Sequence, residues 1–315
     1  MQVRKRTQMR SGAIRTSNSS NYKSINMNDT EEETIAAIAS TTTSYSGTPM
    51  NTMSPTTTDS TVKFVDRLAR LQNTAIVMSH FFAFISMCLV ISWIKKLGGL
   101  SWSDGAARQV FNWHPFLMVT AFCFMTVAAL AFRLRCGSRP LRKLVHGLSW
   151  SVALICVIVA LAAVFKSHND AVSGFIANMY SLHSWIGISL FILYSLQFLF
   201  GAYAFAWPGM SPESKSKVLL LHKYMGPFVY NMMAFTMLLG IQEKEGFIGC
   251  SYAVDKVDRF PIANFGKIPS ICKVSHTLGI FILFMALSTS FALYDFGTKK
   301  AATTSAVTAS EHHIL

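Results

Sequence analysis

Four histidines lie about one helical turn inside long apolar segments of the chain: His114, His146, His183 and His222. A polar ring in such a segment is expensive to bury in lipid and is usually retained for a function. A neutral imidazole can bond to a neighbouring helix, relay a proton or coordinate a metal ion, and it is a common axial ligand of haem iron. The spacing therefore directs attention to the segments that position these four rings.

The direction in which each segment crosses a membrane sorts the four rings into two pairs. Consecutive segments cross in opposite directions, so His114 and His183 lie near one surface, whereas His146 and His222 lie near the other. Haem iron held by two imidazoles needs ligands at equal depth on facing helices. The sequence therefore predicts two bis-histidine haem sites. The simpler alternative is that each ring only bonds to a neighbouring helix. Depth alone also does not exclude His80, near the inner end of the first run, or His276, near the outer end of the sixth, as a ligand.

Six apolar runs carry or flank these histidines. They span roughly residues 75–94, 111–132, 144–165, 181–206, 218–241 and 274–296. Each is about 20 residues or longer, which is enough to cross a hydrocarbon core of about 30 Å as a helix. Only 14% of the residues are charged and 51% are hydrophobic, whereas a soluble domain is about 25% charged. We predict an all-α membrane protein with six transmembrane helices, of which helices 2–5 form a four-helix bundle around two b-type haems.

The net charge of +13 reflects membrane topology and gives no indication of nucleic-acid binding. The connection between the second and third runs carries five basic residues and no acid: Arg133, Arg135, Arg139, Arg142 and Lys143. Basic loops stay on the cytosolic side, so this connection and both termini are predicted to be cytosolic. We therefore call His146 and His222 the inner pair, and His114 and His183 the outer pair.

Three regions follow from this reading. Residues 1–62 are rich in Ser, Thr and Asn and are predicted to be a disordered cytosolic tail. Residues 63–298 form the six-helix membrane domain, and residues 299–315 form a short cytosolic C-terminal tail. Cys250 and Cys272 share the loop between the fifth and sixth runs, and they could form a disulfide if that loop faces an oxidising compartment.

Five short motifs resemble the cytochrome b561 family, a group of ascorbate-dependent transmembrane reductases that includes the duodenal ferric reductase. They are Phe111–Pro115, Leu144–Gly147, Asn178–Trp185, Leu221-His222 and Gly240–Lys244. The resemblance covers about residues 75–296 and leaves the N-terminal tail out. It implies two b haems held by the four histidines, in the pairing given above. It also implies electron transfer from cytosolic ascorbate to a non-cytosolic acceptor, either monodehydroascorbate or ferric iron.

The resemblance further implies a binding site at each surface. On the cytosolic side, Arg139 and Lys143 precede His146 by seven and three residues, and Lys215 precedes His222 by seven. These cations would bind the ascorbate anion. The alternative is that they only set topology or face lipid headgroups. Arg133 matches a basic position of the family and is expected to contact the same ligand or a haem propionate.

On the outer side, Phe165–Asn169 resembles the family's loop before the fourth helix. His168 and Asn169 are expected to contact the electron acceptor or a divalent metal, although a solvated loop histidine explains His168 equally well. Tyr180 and Ser181 precede His183 by three and two residues and are expected to border the outer haem.

Two other function classes compete with this reading. A polytopic transporter could use the histidines to move a metal ion or protons, but such proteins place acids along the path. The first five runs contain no Asp or Glu. A non-catalytic membrane scaffold is the second alternative. The predicted partners are membrane lipid, ascorbate and the acceptor, with a homodimer suggested by resemblance alone. The predicted location is the plasma membrane or an endomembrane vesicle or lysosome.

Overall fold

The computed structural model describes residues 55–134, 137–206, 210–250 and 268–294, with the backbone alone for residues 55–62. All regular structure in these ranges is helical, as predicted. The helices are α1 (Pro55–Lys96), α2 (Ala107–Phe111), α3 (Trp113–Leu130), α4 (Arg139–His168), α5 (Leu182–Phe205), α6 (Pro212–Phe247) and α7 (Ser270–Leu293). Six segments are long and apolar enough to cross a membrane, with α2 and α3 forming one of them.

Serine side chains begin three of the spanning helices. Ser138, Ser181 and Ser211 each accept a hydrogen bond from the backbone N–H three residues later, at the starts of α4, α5 and α6. A serine in this position satisfies one of the N–H groups that a helix leaves without a partner. Proline also lies in the first turn of α4 and α6, where its missing N–H costs nothing. These signals explain why α4 and α6 start before their apolar runs.

The first helix begins earlier than predicted. α1 starts at Pro55, so the assignment of residues 55–62 to a disordered tail is wrong. The segment has a proline at its first helical position and leads without interruption into a long apolar helix, and both features favour helix propagation. Residues 1–54 and 295–315, which carry the remaining tail predictions, lie outside the described residues, as does Arg135.

The four helices that carry the histidines are neighbours in a closed ring. α3 packs against α4 and α6, and α5 packs against the same two helices. α1 and α7 pack against each other and against α3, and α7 also contacts α6. The described helices therefore place α3, α4, α5 and α6 around one common interior, which is the arrangement predicted for helices 2–5.

Polar bonds hold α3, α6 and α7 together in the middle of the molecule. Tyr230 is fully buried, its ring stacks on Phe122 at 4.6 Å, and its hydroxyl lies 2.8 Å from Thr126 Oγ1 and 3.2 Å from Thr289 Oγ1. Between helices in lipid, such bonds and close van der Waals packing replace the hydrophobic effect. This network fixes α6, which carries one histidine of the inner pair.

A disulfide joins the end of α6 to the start of α7. Cys250 and Cys272 are bonded, as the sequence allowed. Nearby, the buried carboxylate of Glu245 accepts a hydrogen bond from Ser275 and lies 3.2 Å from Nε2 of His276. The disulfide and this polar cluster hold the last turns of α6 against α7, at the same end of the molecule as the outer pair.

Candidate functional site

The outer pair consists of two rings that face each other across the interior. The ring centres of His114 and His183 are 6.0 Å apart, with an interplanar angle of 83°. Nδ1 of His114 lies 3.3 Å from the carbonyl oxygen of Ala160, and Nδ1 of His183 lies 2.9 Å from that of Thr236. A carbonyl can only accept, so each Nδ1 carries the hydrogen. Each neutral ring therefore keeps a lone pair on Nε2, the nitrogen available to a metal.

The inner pair repeats this arrangement at the opposite end. The ring centres of His146 and His222 are 6.0 Å apart, at 67° to each other. Nδ1 of His146 lies 2.8 Å from the carbonyl oxygen of Ala128 in α3, so a neighbouring helix fixes this ring as well. The structure therefore brings together the members of the two predicted pairs.

Both pairs fit a metal ion held between two axial imidazoles. A metal–imidazole bond is about 2 Å long, and the ring centre lies about 1 Å beyond the nitrogen, so two rings on opposite sides of one ion have centres about 6 Å apart. Each observed separation is 6.0 Å. In the part of the chain that the structure describes, no group of three or more His, Cys, Asp or Glu side chains could hold a bare ion. Paired neutral imidazoles among apolar helices are the donor set that suits a b-type haem.

Gly240 gives the ring of His183 its space, whereas Gly201 makes only an ordinary contact with His222. A Cβ added at Gly240 in α6 would lie 2.7 Å from Cε1 of His183, whereas one at Gly201 in α5 would lie 3.5 Å from Cε1 of His222. In the sequence, Gly240 is marked only as part of a motif, and its contact with His183 was not predicted. A glycine inside a helix costs about 1 kcal/mol relative to alanine. A glycine within a long helix therefore indicates a position where a side chain would not fit, and this signal could have identified Gly240.

The predicted donor-site cations remain unpaired at the inner end. Arg139 and Lys143 are exposed and Lys215 is half-buried. Among the described residues, none of the three has a carboxylate within ion-pair distance. By contrast, Lys217 pairs with Glu213 at 2.9 Å. Three cations near the inner pair are therefore free to meet an anion.

Arg133 has a partner that the sequence did not reveal. Its guanidinium donates to the carbonyl oxygen of Leu293, in the last turn of α7. Such a contact satisfies a carbonyl group at the end of a helix, where cations are favourable. The described contact of Arg133 thus supports helix packing, and the predicted contact with a ligand or propionate is not tested by it.

His168 reaches the outer pair through Phe111. The rings of His168 and Phe111 are stacked, with centres 6.3 Å apart and an interplanar angle of 7°. The Phe111 ring centre lies 6.0 Å from that of His114. Nδ1 of His168 is buried and has no hydrogen-bond partner among the described residues. Asn169 instead ends α4, where its side chain donates to Phe165 O at 2.8 Å and accepts from Asn178 at 3.3 Å. His168 is therefore placed near the outer pair, and the described contacts of Asn169 are with its own loop.

The residues just before His183 also have defined contacts. The hydroxyl of Tyr180 donates to Oε1 of Glu243 at 2.9 Å. Burial first, and then the neighbouring Glu243 carboxylate, raise the pKa of Tyr180 to about 12. Ser181 accepts from the backbone N–H of Ser184 and so begins α5. Tyr180 thus links the loop before α5 to the end of α6.

Two charged residues of α6 near the outer pair were missed as site residues. Glu243 binds Tyr180, and Nζ of Lys244 lies 4.2 Å from the centre of the Phe111 ring. In the sequence they belong to the Gly240–Lys244 motif, but as charges that follow an apolar run they fit a pattern that topology alone can explain. Their position in α6, one turn beyond Gly240, is what brings them to the site.

Comparison with known proteins shows which chains share these features. Residues 113–248 match a family model described as eukaryotic cytochrome b561, and this range includes all four histidines. The chain is 38% identical over 175 residues to the plasma membrane ascorbate-dependent reductase CYBRD1 of Xenopus laevis. That match covers 54% of this chain and 60%, less than two thirds, of the relative.

Two plant proteins are similar over a larger share of their own length. The transmembrane ascorbate ferrireductase 1 of Arabidopsis thaliana is 35% identical over 173 residues, which is 54% of this chain and 71% of that protein. The ascorbate-specific transmembrane electron transporter 1 of Zea mays is 36% identical over 176 residues, which is 55% of this chain and 73% of that protein.

Proposed function

This chain belongs to the cytochrome b561 family, and from that premise we propose that it is a transmembrane oxidoreductase. In this proposal it takes electrons from cytosolic ascorbate and passes them, by way of two b haems, to monodehydroascorbate or ferric iron on the other side. The relatives are named as ascorbate-dependent reductases, a ferrireductase and an electron transporter.

The observation that carries the proposal is the pair of matched histidine sites. His114 with His183, and His146 with His222, have ring centres 6.0 Å apart at the two ends of one helix ring. These four residues would hold the two haems. When bound, the haems would supply reversible one-electron chemistry, which the side chains of the protein cannot supply themselves. The carbonyl groups behind the rings of His114, His146 and His183 orient Nε2, as partners of metal-bound histidines commonly do.

The unpaired cations at the inner end support ascorbate as the donor. Ascorbate is a monoanion at neutral pH, and Arg139, Lys143 and Lys215 have no carboxylate partner among the described residues. A charge-assisted hydrogen bond from such a cation is about twice as strong as a neutral one. These residues would hold the donor close to the inner pair.

Two independent features support the orientation in the membrane. The basic connection before α4 favours the cytosol on the inner side. The Cys250–Cys272 disulfide lies at the outer end, and disulfides persist in oxidising compartments such as the exterior or a secretory lumen. We therefore propose that both termini are cytosolic. The membrane is either the plasma membrane or that of an endomembrane vesicle or lysosome.

Reconstitution of the full chain in sealed vesicles tests the proposal. We expect two haems per chain, a bis-histidine absorbance spectrum, and reduction of both haems when ascorbate is added at the inner face. His222→Ala should abolish that reduction, because it removes a ligand of the inner pair. A purified protein with no haem absorbance, or a His222→Ala protein in which ascorbate at the inner face still reduces both haems, would contradict the proposal.

A further inference from the structure

A carboxyl–phenol pair at the outer end is not used by the proposed electron transfer. Oε1 of Glu243 accepts from the hydroxyl of Tyr180 at 2.9 Å. Oε2 of Glu243 is buried and has no hydrogen-bond partner among the described residues. Leaving a buried acceptor unpaired costs about 1–3 kcal/mol. The open oxygen therefore needs either a proton of its own or a donor that comes from outside the chain.

The Glu243–Tyr180 pair lies within one helical turn of the outer histidine pair. Gly240 is close enough to His183 that a Cβ on it would lie 2.7 Å from the ring. Glu243 follows three residues later, about 4.5 Å further along the helix axis at 1.5 Å per residue. Tyr180 precedes His183 by three residues, and its bond to Glu243 brings the loop before α5 to this turn of α6. The carboxyl group is thus next to the place where an electron would leave the chain.

A cation stands beside this carboxyl group. Lys244 is half-buried, and its ammonium lies 4.2 Å from the centre of the Phe111 ring, which neighbours His114. Among the described residues it has no carboxylate within ion-pair distance. A partly desolvated cation on the face of an aromatic ring attracts an anion. The outer end therefore combines a positive charge, an open carboxyl oxygen and a phenol.

We propose that Glu243 is the acid that protonates an anionic organic acceptor at the outer face, that Tyr180 positions it, and that Lys244 binds the negative charge of the acceptor. This inference rests on the proposed function, and it names the acceptor class as an oxygen-centred organic radical anion of the monodehydroascorbate type. Ferric iron needs no proton when it gains an electron, so a positioned acid serves only the organic acceptor.

The step balances in charge and atoms. The radical anion gains one electron, which comes from the donor at the inner face, and one proton from Glu243. The O–H bond of the carboxyl group breaks, and a new O–H bond forms on the acceptor, which leaves as the closed-shell monoanion. Glu243 remains as a carboxylate and regains its proton from the outer solution.

Tyr180 suits the supporting role because it keeps its own proton. Its pKa is raised to about 12, so it remains a phenol at physiological pH. Its hydroxyl can therefore donate to Glu243 and stabilise the carboxylate that the transfer leaves behind. Tyr180→Phe removes this donor without removing the acid, which separates positioning from proton donation.

The test compares two acceptors at the outer face of vesicles that contain the full chain and ascorbate inside. One acceptor is monodehydroascorbate and the other is ferric citrate. General acids contribute about 10²–10⁴-fold to a rate. We expect Glu243→Gln to lower the ratio of the monodehydroascorbate rate to the ferric rate by about 10²-fold, and Tyr180→Phe to lower it less. Glu213→Gln, at the exposed inner end of α6, is the matched control and should leave the ratio unchanged.

A second measurement does not depend on turnover. In the infrared difference spectrum of reduced minus oxidised protein with monodehydroascorbate present, a negative protonated-carboxyl band, from the proton that Glu243 gives up, should be found in the wild type and be absent from Glu243→Gln. If Glu243→Gln lowered the rates with both acceptors equally, the ratio of the two rates would be unchanged. That result would overturn the inference and leave the proposed function standing. A wild-type protein that reduces neither acceptor would overturn the proposed function itself.

Discussion

Gly240 of α6 lies against the ring of His183 so closely that a Cβ on residue 240 would be 2.7 Å from Cε1, 3.1 Å from Nε2 and 3.2 Å from Nδ1. Real Cβ atoms do not approach other atoms to 2.7 Å, so any side chain there must displace the ring or the helix. The ring is held from behind by the carbonyl oxygen of Thr236 at 2.9 Å. One turn of α6 therefore both orients His183 and leaves room for it.

Gly240→Ala should displace His183 and lower occupancy of the outer haem. We expect the purified variant to hold close to one haem per chain, with the inner pair intact, as measured by haem content and by the redox titration of the absorbance bands. Overpacking of this kind costs about 1–3 kcal/mol, which is enough to distort a ligand without unfolding six helices.

Two other glycines provide controls for that substitution. A Cβ at Gly246, in the same helix, meets nothing within 4 Å, and one at Gly201 meets His222 at an ordinary 3.5 Å. Gly246→Ala and Gly201→Ala should both keep two haems. If Gly240→Ala also kept two haems with wild-type potentials, the close contact with His183 would not be needed for haem binding.

Two further histidines should be dispensable for haem binding. Nδ1 of His80 lies 2.8 Å from the carbonyl oxygen of Ile76 in its own helix, and His276 lies 3.2 Å from Glu245. Neither faces another histidine ring as the four paired residues do. We therefore expect His80→Ala and His276→Ala to keep both haems, whereas His146→Ala and His114→Ala each lose one. Loss of a haem in His80→Ala would show that the pairing by depth is incomplete.

The sequence was most informative at polar side chains in apolar segments, where burial is costly. An imidazole in an apolar run is costly, so four of them at matched depths indicated the pairs that the structure brings to 6.0 Å. The contacts of Glu243 and Lys244 could not be predicted, because a charge after an apolar run serves topology equally well. The bond of Arg133 to Leu293 could not be predicted either, because it depends on where α7 ends, and no local pattern encodes that.

Removal of the disulfide should destabilise the outer end. Cys250 and Cys272 are 22 residues apart in the sequence, and a cross-link that closes a loop of this size stabilises a fold by about 3 kcal/mol. The double variant Cys250→Ser/Cys272→Ser should have a lower thermal midpoint than the wild type in detergent. A reductant should lower the midpoint of the wild type and leave that of the double variant unchanged. Cys88→Ser, which changes a free thiol, is the control. A midpoint that is equal in the wild type and the double variant would contradict this prediction.

Asp170 should make the connection after α4 sensitive to acid. Burial favours the neutral form, but hydrogen bonds from Val172 N, Ser173 Oγ and Gly105 N outweigh it and hold the pKa of Asp170 below its usual value. A carboxyl group whose pKa falls on folding stabilises the native state above its unfolded pKa, and this contribution is lost as the pH falls through the folded value. Hydrogen exchange of residues 170–174 should therefore increase below about pH 4. Asp170→Asn should show the faster exchange at neutral pH as well.

Lys143→Gln should weaken the use of ascorbate at the inner face, and Lys217→Gln should not. Lys143 has no carboxylate partner among the described residues, whereas Lys217 is already paired with Glu213 at 2.9 Å. A hydrogen bond to a charged group contributes about 1.5–3 kcal/mol, so losing it should raise the KM for ascorbate by at least about 10-fold. The haem content should be unchanged in both variants, because neither residue contacts a histidine pair.

Both lysines lie at the inner end of the molecule, so a loss of topogenic charge alone would affect the two variants alike, and only direct binding predicts the difference. Steady-state reduction of the haems in inside-out vesicles, titrated with ascorbate, measures it.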